Sequence, residues 1–234
     1  MIRKSIIVVA VAALFCIASS ARATLLAEWT FETSIPTTAG PHAAEGGLNA
    51  GGGSPASGLH ASGATAYSNP VGNATVESFS STNWAVGDYW QFCTATNTGL
   101  GYEDIIFSWD QVSSNTGPRD FELQYNVNGG GYTTFGSTYV VLANAAPNNW
   151  ASGGPYVAAT HYSVDLSSVA ALNNAASICI RLVNNSTVSA NGSTVAGTGT
   201  DRVDTVQVNA TEVPEPTTLA LLGLGALGMI RRRR

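Results

Sequence analysis

Apolar and polar residues alternate with a period of two in many short runs between residues 24 and 212. Successive side chains of a β-strand point to opposite faces of its sheet, so this period predicts half-buried strands. The clearest run is 119–128, in which Phe121, Leu123 and Tyr125 alternate with polar residues. The pattern predicts about nine strands, at 25–31, 88–94, 104–109, 119–128, 132–135, 139–142, 162–166, 178–182 and 202–208.

The segments between these runs are rich in turn-forming residues. Asn128 is followed by three glycines, which supply the positive φ angles of a hairpin turn. The alternation is imperfect over 202–208, which predicts a bulge. Residues 33–75 are dominated by Gly, Ala, Ser and Pro, so we expect a long surface excursion there, with one short strand near 67–76. Short strands with Gly-rich connections predict one all-β sandwich or barrel over 24–212.

The N-terminus has the pattern of a secretory signal peptide. A short cationic start precedes an apolar run at 6–17, and Ala21 and Ala23 then provide a small-residue cleavage pattern before Thr24. These three parts predict that residues 1–23 are removed by signal peptidase during export.

The C-terminus carries a second three-part pattern. Val213-Pro214-Glu215-Pro216 precedes an uncharged stretch at 217–230, and the chain closes on four cations, Arg231, Arg232, Arg233 and Arg234. The prolines stiffen an extended segment that cannot enter a helix. The following stretch would form a helix of about 21 Å, short for a hydrocarbon core of about 30 Å. We therefore expect a short transmembrane helix, with the arginines as a cytoplasmic stop-transfer signal.

These C-terminal residues resemble the PEP-CTERM sorting signal of exopolysaccharide-producing Gram-negative bacteria. In that family a membrane protease, exosortase, recognises the signal, removes it and sends the body to the envelope or matrix. The resemblance covers residues 213–234. It implies that the protein crosses the inner membrane, is anchored there transiently, and is then released to the cell envelope or extracellular matrix.

The charge distribution excludes several classes of function. The formal net charge is −5, but the middle of the chain holds three arginines against all fifteen carboxylates, a balance of −12 without a lysine. A nucleic-acid binder needs a cationic surface to neutralise phosphates, and none is present in this part of the sequence. Only 11% of residues are charged and no heptad pattern occurs, which excludes a coiled coil or helical bundle.

A second resemblance concerns the body. The segments 113–125, 164–167 and 201–206 are similar to a β-sandwich module found in PEP-CTERM proteins and some secreted bacterial proteins. Those modules are similar to jelly-roll carbohydrate-binding domains, which implies a jelly-roll-like β-sandwich of about eight or nine strands. The resemblance also makes Asp201 and Asp204 candidate ligands of a structural calcium ion, which prefers oxygen ligands.

Two pairs of residues suggest further features of the body. Cys93 and Cys179 lie in predicted strands, and two interpretations remain open: one disulfide in an exported protein, or two buried free thiols. Trp84 and Trp150 follow loop-like segments, where an exposed aromatic ring could stack on a sugar. The alternative for both tryptophans is an aromatic side chain that covers an end of the sandwich.

No catalytic residue is assigned from the sequence, because it contains no metalloprotease, zinc-ribbon or serine-esterase motif. We expect a non-catalytic surface or matrix protein that associates with exopolysaccharide. The alternative is a secreted carbohydrate-active enzyme that uses paired carboxylates. The candidate pairs are Asp120 with Glu122, Glu103 with Asp104, and Asp201 with Asp204. The three histidines are expected to be solvated polar residues: His42, His60 and His161.

Overall fold

A computed structural model describes residues 23–99 and 101–213, and these form two antiparallel β-sheets with two short 3₁₀ helices at Ala158–Thr160 and Ala170–Leu172. In chain order the twelve strands of this part are β1 (Ala23–Trp29), β2 (His42–Ala44), β3 (Gly51–Leu59), β4 (Tyr67–Ser68), β5 (Phe79–Ser81), β6 (Tyr89–Thr94), β7 (Tyr102–Ser113), β8 (Asp120–Val127), β9 (Thr133–Val140), β10 (His161–Asp165), β11 (Ile178–Asn184) and β12 (Asp201–Glu212). The predicted all-β sandwich is confirmed.

The first sheet is built around the long strand β12. Its order is β10-β7-β12-β5-β4. The short strand β5 pairs with residues 201–203 of β12, and β1 pairs with residues 206–211 of the same strand. The register of β12 against β7 shifts between Asp204 and Gln207, where Thr205 has a φ of 45°. The bulge predicted for 202–208 is therefore confirmed. The second sheet has the order β2-β3-β6-β11-β8-β9.

The core lies between the two sheets and is rich in aromatic rings. Rings from the two sheets meet directly: Phe79 contacts Trp90 at 4.4 Å between centroids, and Phe92 contacts Phe107 at 5.9 Å. These side chains occupy alternate positions of their strands, as the period-two pattern predicts. Burial of these large apolar surfaces is the main contribution to the stability of the sandwich.

The expectation of a surface excursion over residues 33–75 is wrong for β2 and β3, which belong to the second sheet. Small residues are required in β3, because two large indoles pack against its backbone. A Cβ atom on Gly58 would lie 2.9 Å from the ring of Trp90, and the indole N–H of Trp29 donates to the carbonyl oxygen of Ser54 at 3.0 Å. The Gly- and Ser-rich composition therefore marks a strand that accommodates tryptophans.

Two predicted strands, 132–135 and 139–142, are one strand, β9. The turn before it has the expected conformation, since Asn128 and Gly129 have φ angles of 50° and 75°. Cys93 and Cys179 face each other on β6 and β11 and are joined by a disulfide, with Cα atoms 4.1 Å apart. The structure thus contains the disulfide alternative rather than two free thiols.

The described chain begins and ends side by side on the first sheet. Ala23 pairs with Thr211, and the N–H of Val213 donates to the carbonyl oxygen of Gly101 at 3.0 Å. Within the described ranges, neither helix is long and apolar enough to span a bilayer. Several predictions lie outside the described residues: residues 1–22 of the predicted signal peptide at 1–23, the motif residues 214–216, the predicted membrane helix at 217–230 and the four C-terminal arginines.

Two glycines of β3 give a matched test of this packing. Replacing Gly58 by alanine places a methyl group 2.9 Å from Trp90 and 3.0 Å from Tyr67, so we expect a loss of about 1–3 kcal/mol in the free energy of unfolding. Gly52 has no atom within 4 Å of its Cβ position, so Gly52→Ala should be neutral or stabilising by up to about 1 kcal/mol. Urea denaturation measures both changes. Equal stability of the two variants would contradict the proposed packing of β3.

Candidate functional site

The two tryptophans predicted to contact carbohydrate are buried, so this prediction is wrong. Trp84 is 6% exposed and packs against Trp90 and Phe121 in the core, while its indole N–H donates to the carbonyl oxygen of Ser81. Trp150 is 4% exposed, and its indole N–H donates to the hydroxyl of Thr160 at 2.9 Å. An indole buries a large apolar area, which favours packing over exposure even when its flanking sequence is polar.

The expectation of solvated histidines is also wrong for two of the three. His42 is 7% exposed and packs edge-on against Phe79. The side chain of His60 is 1% exposed, and its Nδ1 lies 3.1 Å from Oδ2 of Asp88. Burial lowers the pKa of His60. His161 is exposed, but its Nδ1 lies 2.8 Å from Oδ1 of Asp110, so this ring is held in place.

A cluster on the outer face of the second sheet has the chemistry of a binding surface, and we call it the Tyr–Arg platform: Tyr89, Gln91, Tyr132 and Arg181. The guanidinium carbon of Arg181 lies 3.8 Å from the ring centroid of Tyr89 and 3.4 Å from that of Tyr132. Nε of Arg181 and the hydroxyl of Tyr132 both donate to Oε1 of Gln91, at 2.8 and 2.7 Å. All four residues are partly exposed.

Strand register places these residues together. Gln91 and Arg181 are direct partners on β6 and β11. Their neighbours Trp90, Ile180 and Leu182 are buried in the core, so the platform residues point outward. The tight turn after β8 returns the chain and brings Tyr132 to the same surface. The alternation of residues 88–94 and 178–182 predicts which side chains point outward. The sequence did not show that these two strands pair.

Arg181 is partly exposed and has no ion-pair partner among the described residues, whereas Arg202, which also has none, is buried. Arg119 forms an ion pair with Asp120 at 2.7 Å, whereas within the described ranges no carboxylate lies within 4.0 Å of the Arg181 guanidinium. The nearby Glu122 is engaged elsewhere, because its Oε1 accepts from Gln124 and Thr134. The cation is held between two rings, an arrangement worth about 0.5–2 kcal/mol per ring, and the part of the chain that the structure describes offers it no anionic partner.

The outer face of the first sheet carries a buried carboxylate cluster that the sequence analysis did not identify. Asp110 and Asp204 are direct partners on β7 and β12, and Asn73 contacts both. The Asn73 side chain donates to Asp110 at 3.0 Å, and its backbone N–H donates to Asp204 at 2.9 Å. Burial raises the pKa of Asp204 to about 7 and also raises that of Asp110. Both carboxylates are at most 1% exposed, so they anchor the covering loops rather than face a ligand.

The calcium site predicted at Asp201 and Asp204 does not fit the structure. Asp201 points into the core and accepts from Trp90, Gln111 and Ser113. Asp204 lies on the opposite face of β12, three positions later, so the two carboxylates cannot ligate one ion together. Within residues 23–99 and 101–213, no cluster of three or more His, Cys, Asp or Glu side chains could hold a metal ion.

The other carboxylate pairs lack the features of a glycosidase acid and base. Asp120 and Glu122 share one face of β8, but hydrogen bonding to Arg119 lowers the pKa of Asp120, whereas a catalytic acid requires a raised value. Glu103 and Asp104 lie at an irregularity of β7, where Asp104 has a φ of 53°, and both are partly or fully exposed rather than enclosed as a catalytic acid is.

The buried carboxylates predict a specific pH dependence of stability. Burial raises the folded-state pKa of Asp201 to about 7, above the value of about 3.9 in an unfolded chain. The folded state therefore binds the proton more tightly, and this contribution to stability is lost as pH rises through about 7. The free energy of unfolding of Asp201→Asn should therefore rise, relative to that of the wild type, by at least about 1 kcal/mol between pH 5 and pH 8. This is the energy that corresponds to a shift of one pKa unit.

Urea denaturation of both proteins across this range measures the difference. Asp165→Asn is the matched control, because hydrogen bonding to Ser167 lowers the pKa of this exposed carboxyl and keeps it ionised throughout. A difference between Asp201→Asn and the wild type that does not change with pH would contradict the assignment of a buried, proton-binding carboxylate.

Comparisons with known proteins give one match by sequence and several by fold. Among solved structures, a cleaved adhesin domain of Lys-gingipain from Porphyromonas gingivalis is 12% identical, with a TM-score of 0.41, and covers 77% of this chain and 95% of that one. The CBM22-2 xylan-binding domain of Xyn10C from Paenibacillus barcinonensis is 13% identical, with a TM-score of 0.38, and covers 68% and 92%.

The CBM22-1–GH10 modules of a Clostridium thermocellum endo-1,4-β-D-xylanase, complexed with xylohexaose, are 14% identical, with a TM-score of 0.41, and cover 69% and 26%. We draw no functional conclusion from these structural similarities. No curated protein matches the chain. The PEP-CTERM protein-sorting motif matches residues 212–234, and such a motif implies export and a cell-envelope or extracellular location. The chain is thus a β-sandwich protein that carries a C-terminal PEP-CTERM sorting motif.

Proposed function

We propose that this chain is an exported, exosortase-processed and non-catalytic protein of the cell surface or extracellular matrix, whose sandwich associates with exopolysaccharide. The observation that carries the proposal is the sorting motif at residues 212–234, which begins at the last residue of β12. On this proposal signal peptidase removes the N-terminal segment, the C-terminal segment anchors the chain transiently in the membrane, and exosortase releases the body.

The Tyr–Arg platform supports the polysaccharide part of the proposal. Carbohydrate sites use aromatic rings for the apolar faces of sugars and a few fixed polar groups for their hydroxyls. Tyr89 and Tyr132 supply the rings, and Gln91 and Arg181 supply amide and guanidinium groups that are already held in position. Preorganised side chains lose little entropy when a ligand binds.

The carboxylate geometry favours a binding role over the enzyme alternative. A glycosidase places an acid and a base on either side of the bond that it cleaves, where the substrate can reach both. The described carboxylates with pKa values raised to about 7, Asp201 and Asp204, are completely buried on opposite faces of one strand.

Processing can be tested by replacing Pro214, Glu215 and Pro216 with alanines in the producing bacterium. We expect the variant to keep its C-terminal segment and remain in the membrane fraction, because exosortase would no longer recognise it. Intact mass measurement of the exported protein reports the C-terminus. Thr211→Ala, which lies just before the matched residues 212–234, is the control and should be processed normally. A triple-alanine variant with the same mature C-terminus as the wild type would contradict exosortase processing.

Binding can be tested by affinity electrophoresis of the purified, exported protein in gels that contain neutral or acidic polysaccharides. We expect at least one polysaccharide to retard migration in a saturable manner. A chelator should leave this retardation unchanged, because Asp201 and Asp204 do not form a shared calcium site. If no polysaccharide retards the protein, the binding part of the proposal is wrong and a purely structural role in the envelope remains.

A further inference from the structure

We propose that the Tyr–Arg platform recognises the carboxylate of an acidic sugar, so that the ligand class is a uronate-containing polysaccharide. This inference rests on the proposed association with polysaccharide and specifies its chemistry and its site. It depends on three observations: the clamping of Arg181, the absence of an ion-pair partner for it in the described residues, and the distribution of charge over the rest of the body.

The clamp fixes the plane of the guanidinium. Tyr89 and Tyr132 lie within 4 Å of the guanidinium carbon, and Gln91 accepts from its Nε atom. A planar guanidinium matches a carboxylate through two parallel hydrogen bonds, and holding the plane in advance reduces the entropy lost on binding. A side chain that only covered the sheet would not require contacts on three sides.

Partial exposure without an ion-pair partner among the described residues distinguishes this arginine in an acidic protein. The middle of the chain has fifteen carboxylates for three arginines, yet no carboxylate described in the structure lies within 4.0 Å of Arg181. Arg202 also has no described carboxylate within 4.0 Å, but it is buried beneath the loops of the first sheet, where it donates to the carbonyl oxygen of Val71. The sequence thus keeps one clamped and partly exposed cation available for an anion from another molecule.

The charge around the platform permits an acidic ligand. The outward-facing carboxylates of β6, β8 and β11 are Asp120 and Glu122, and each accepts hydrogen bonds from residues other than Arg181. The most strongly buried carboxylates, Asp110, Asp201 and Asp204, lie in the core or beneath the loops of the first sheet. A uronate polymer can therefore meet the platform without direct contact with them, and the net negative charge of the body disfavours denser polyanions such as nucleic acid.

Neutral sugars are the competing ligands and would use the two rings and the amide. However, each ring already has one face against the guanidinium, which leaves less aromatic surface for stacking. The fixed positive charge is then the strongest interaction available at this surface, because hydrogen bonds between charged partners are roughly twice as strong as neutral ones.

The test compares polygalacturonate with its fully methyl-esterified form, in which each carboxylate is replaced by an uncharged methyl ester. We expect the purified, exported protein to bind polygalacturonate at least about tenfold more tightly, the loss expected when one charge-assisted contact is removed. Arg181→Gln should lose this preference and retain its affinity for the methyl ester. Arg181→Lys should recover part of it, since the charge remains while the planar donor pair is lost.

Arg119→Gln is the matched control, because it removes the same charge from an arginine paired with Asp120 and away from the platform. It should leave the preference intact. The comparison of polymers on the wild-type protein needs no variant to fold. Equal affinity for both polymers, or an Arg181→Gln variant that keeps the preference, overturns this inference while the proposed function stands. Failure to bind either polymer overturns it as well, and the wider panel of polysaccharides then decides the proposed function separately.

Discussion

The indole N–H of Trp90 donates to the carboxylate of Asp201 at 2.6 Å, and this contact joins the two sheets inside the core. It fixes which residues face outward, because a strand that slips by one position exchanges its two faces. With Trp90 inside, Tyr89 and Gln91 must point outward on the second sheet. With Asp201 inside, Asp204 must point outward on the first sheet. The chemistry of both surfaces therefore depends on one buried hydrogen bond.

The two outer faces serve different purposes as a result. On the first sheet, loops cover Asp110 and Asp204, and Asn73 ties one of these loops to both carboxylates. Such a buried polar network stabilises one loop arrangement, provided that every group has a partner. On the second sheet, Arg181 and its clamping rings remain partly exposed. A face closed by its own loops and a face that offers fixed polar groups are consistent with an exported protein that binds through one side.

Local patterns predicted much of this fold, whereas contacts between distant residues were not accessible from the sequence. The alternation around Phe121 and the bulge after Asp204 follow from neighbouring residues, and both are present. The requirement for glycine at position 58 does not follow from neighbouring residues, because the small size of Gly58 matters only when Trp90 packs against it. The burial of Trp84 likewise depends on residues far along the chain.

The platform was missed for the same reason, since Tyr89, Tyr132 and Arg181 meet only through the pairing of β6 with β11 and the turn after β8. The opposite orientation of Asp201 and Asp204 was available from their spacing of three in a strand. The sorting motif, in contrast, is contained within about twenty consecutive residues and was fully visible in the sequence.

The most direct test of the central claim is the site of contact with an acidic oligosaccharide, mapped by backbone amide chemical shifts of the exported protein. We expect galacturonate oligomers to perturb amides around Gln91, Tyr132 and Arg181 on the outer face of the second sheet, and to leave those around Asp110 and Asp204 unchanged. Perturbations confined to the first sheet, or no perturbation at saturating oligomer, would contradict the assignment of this face as the binding surface.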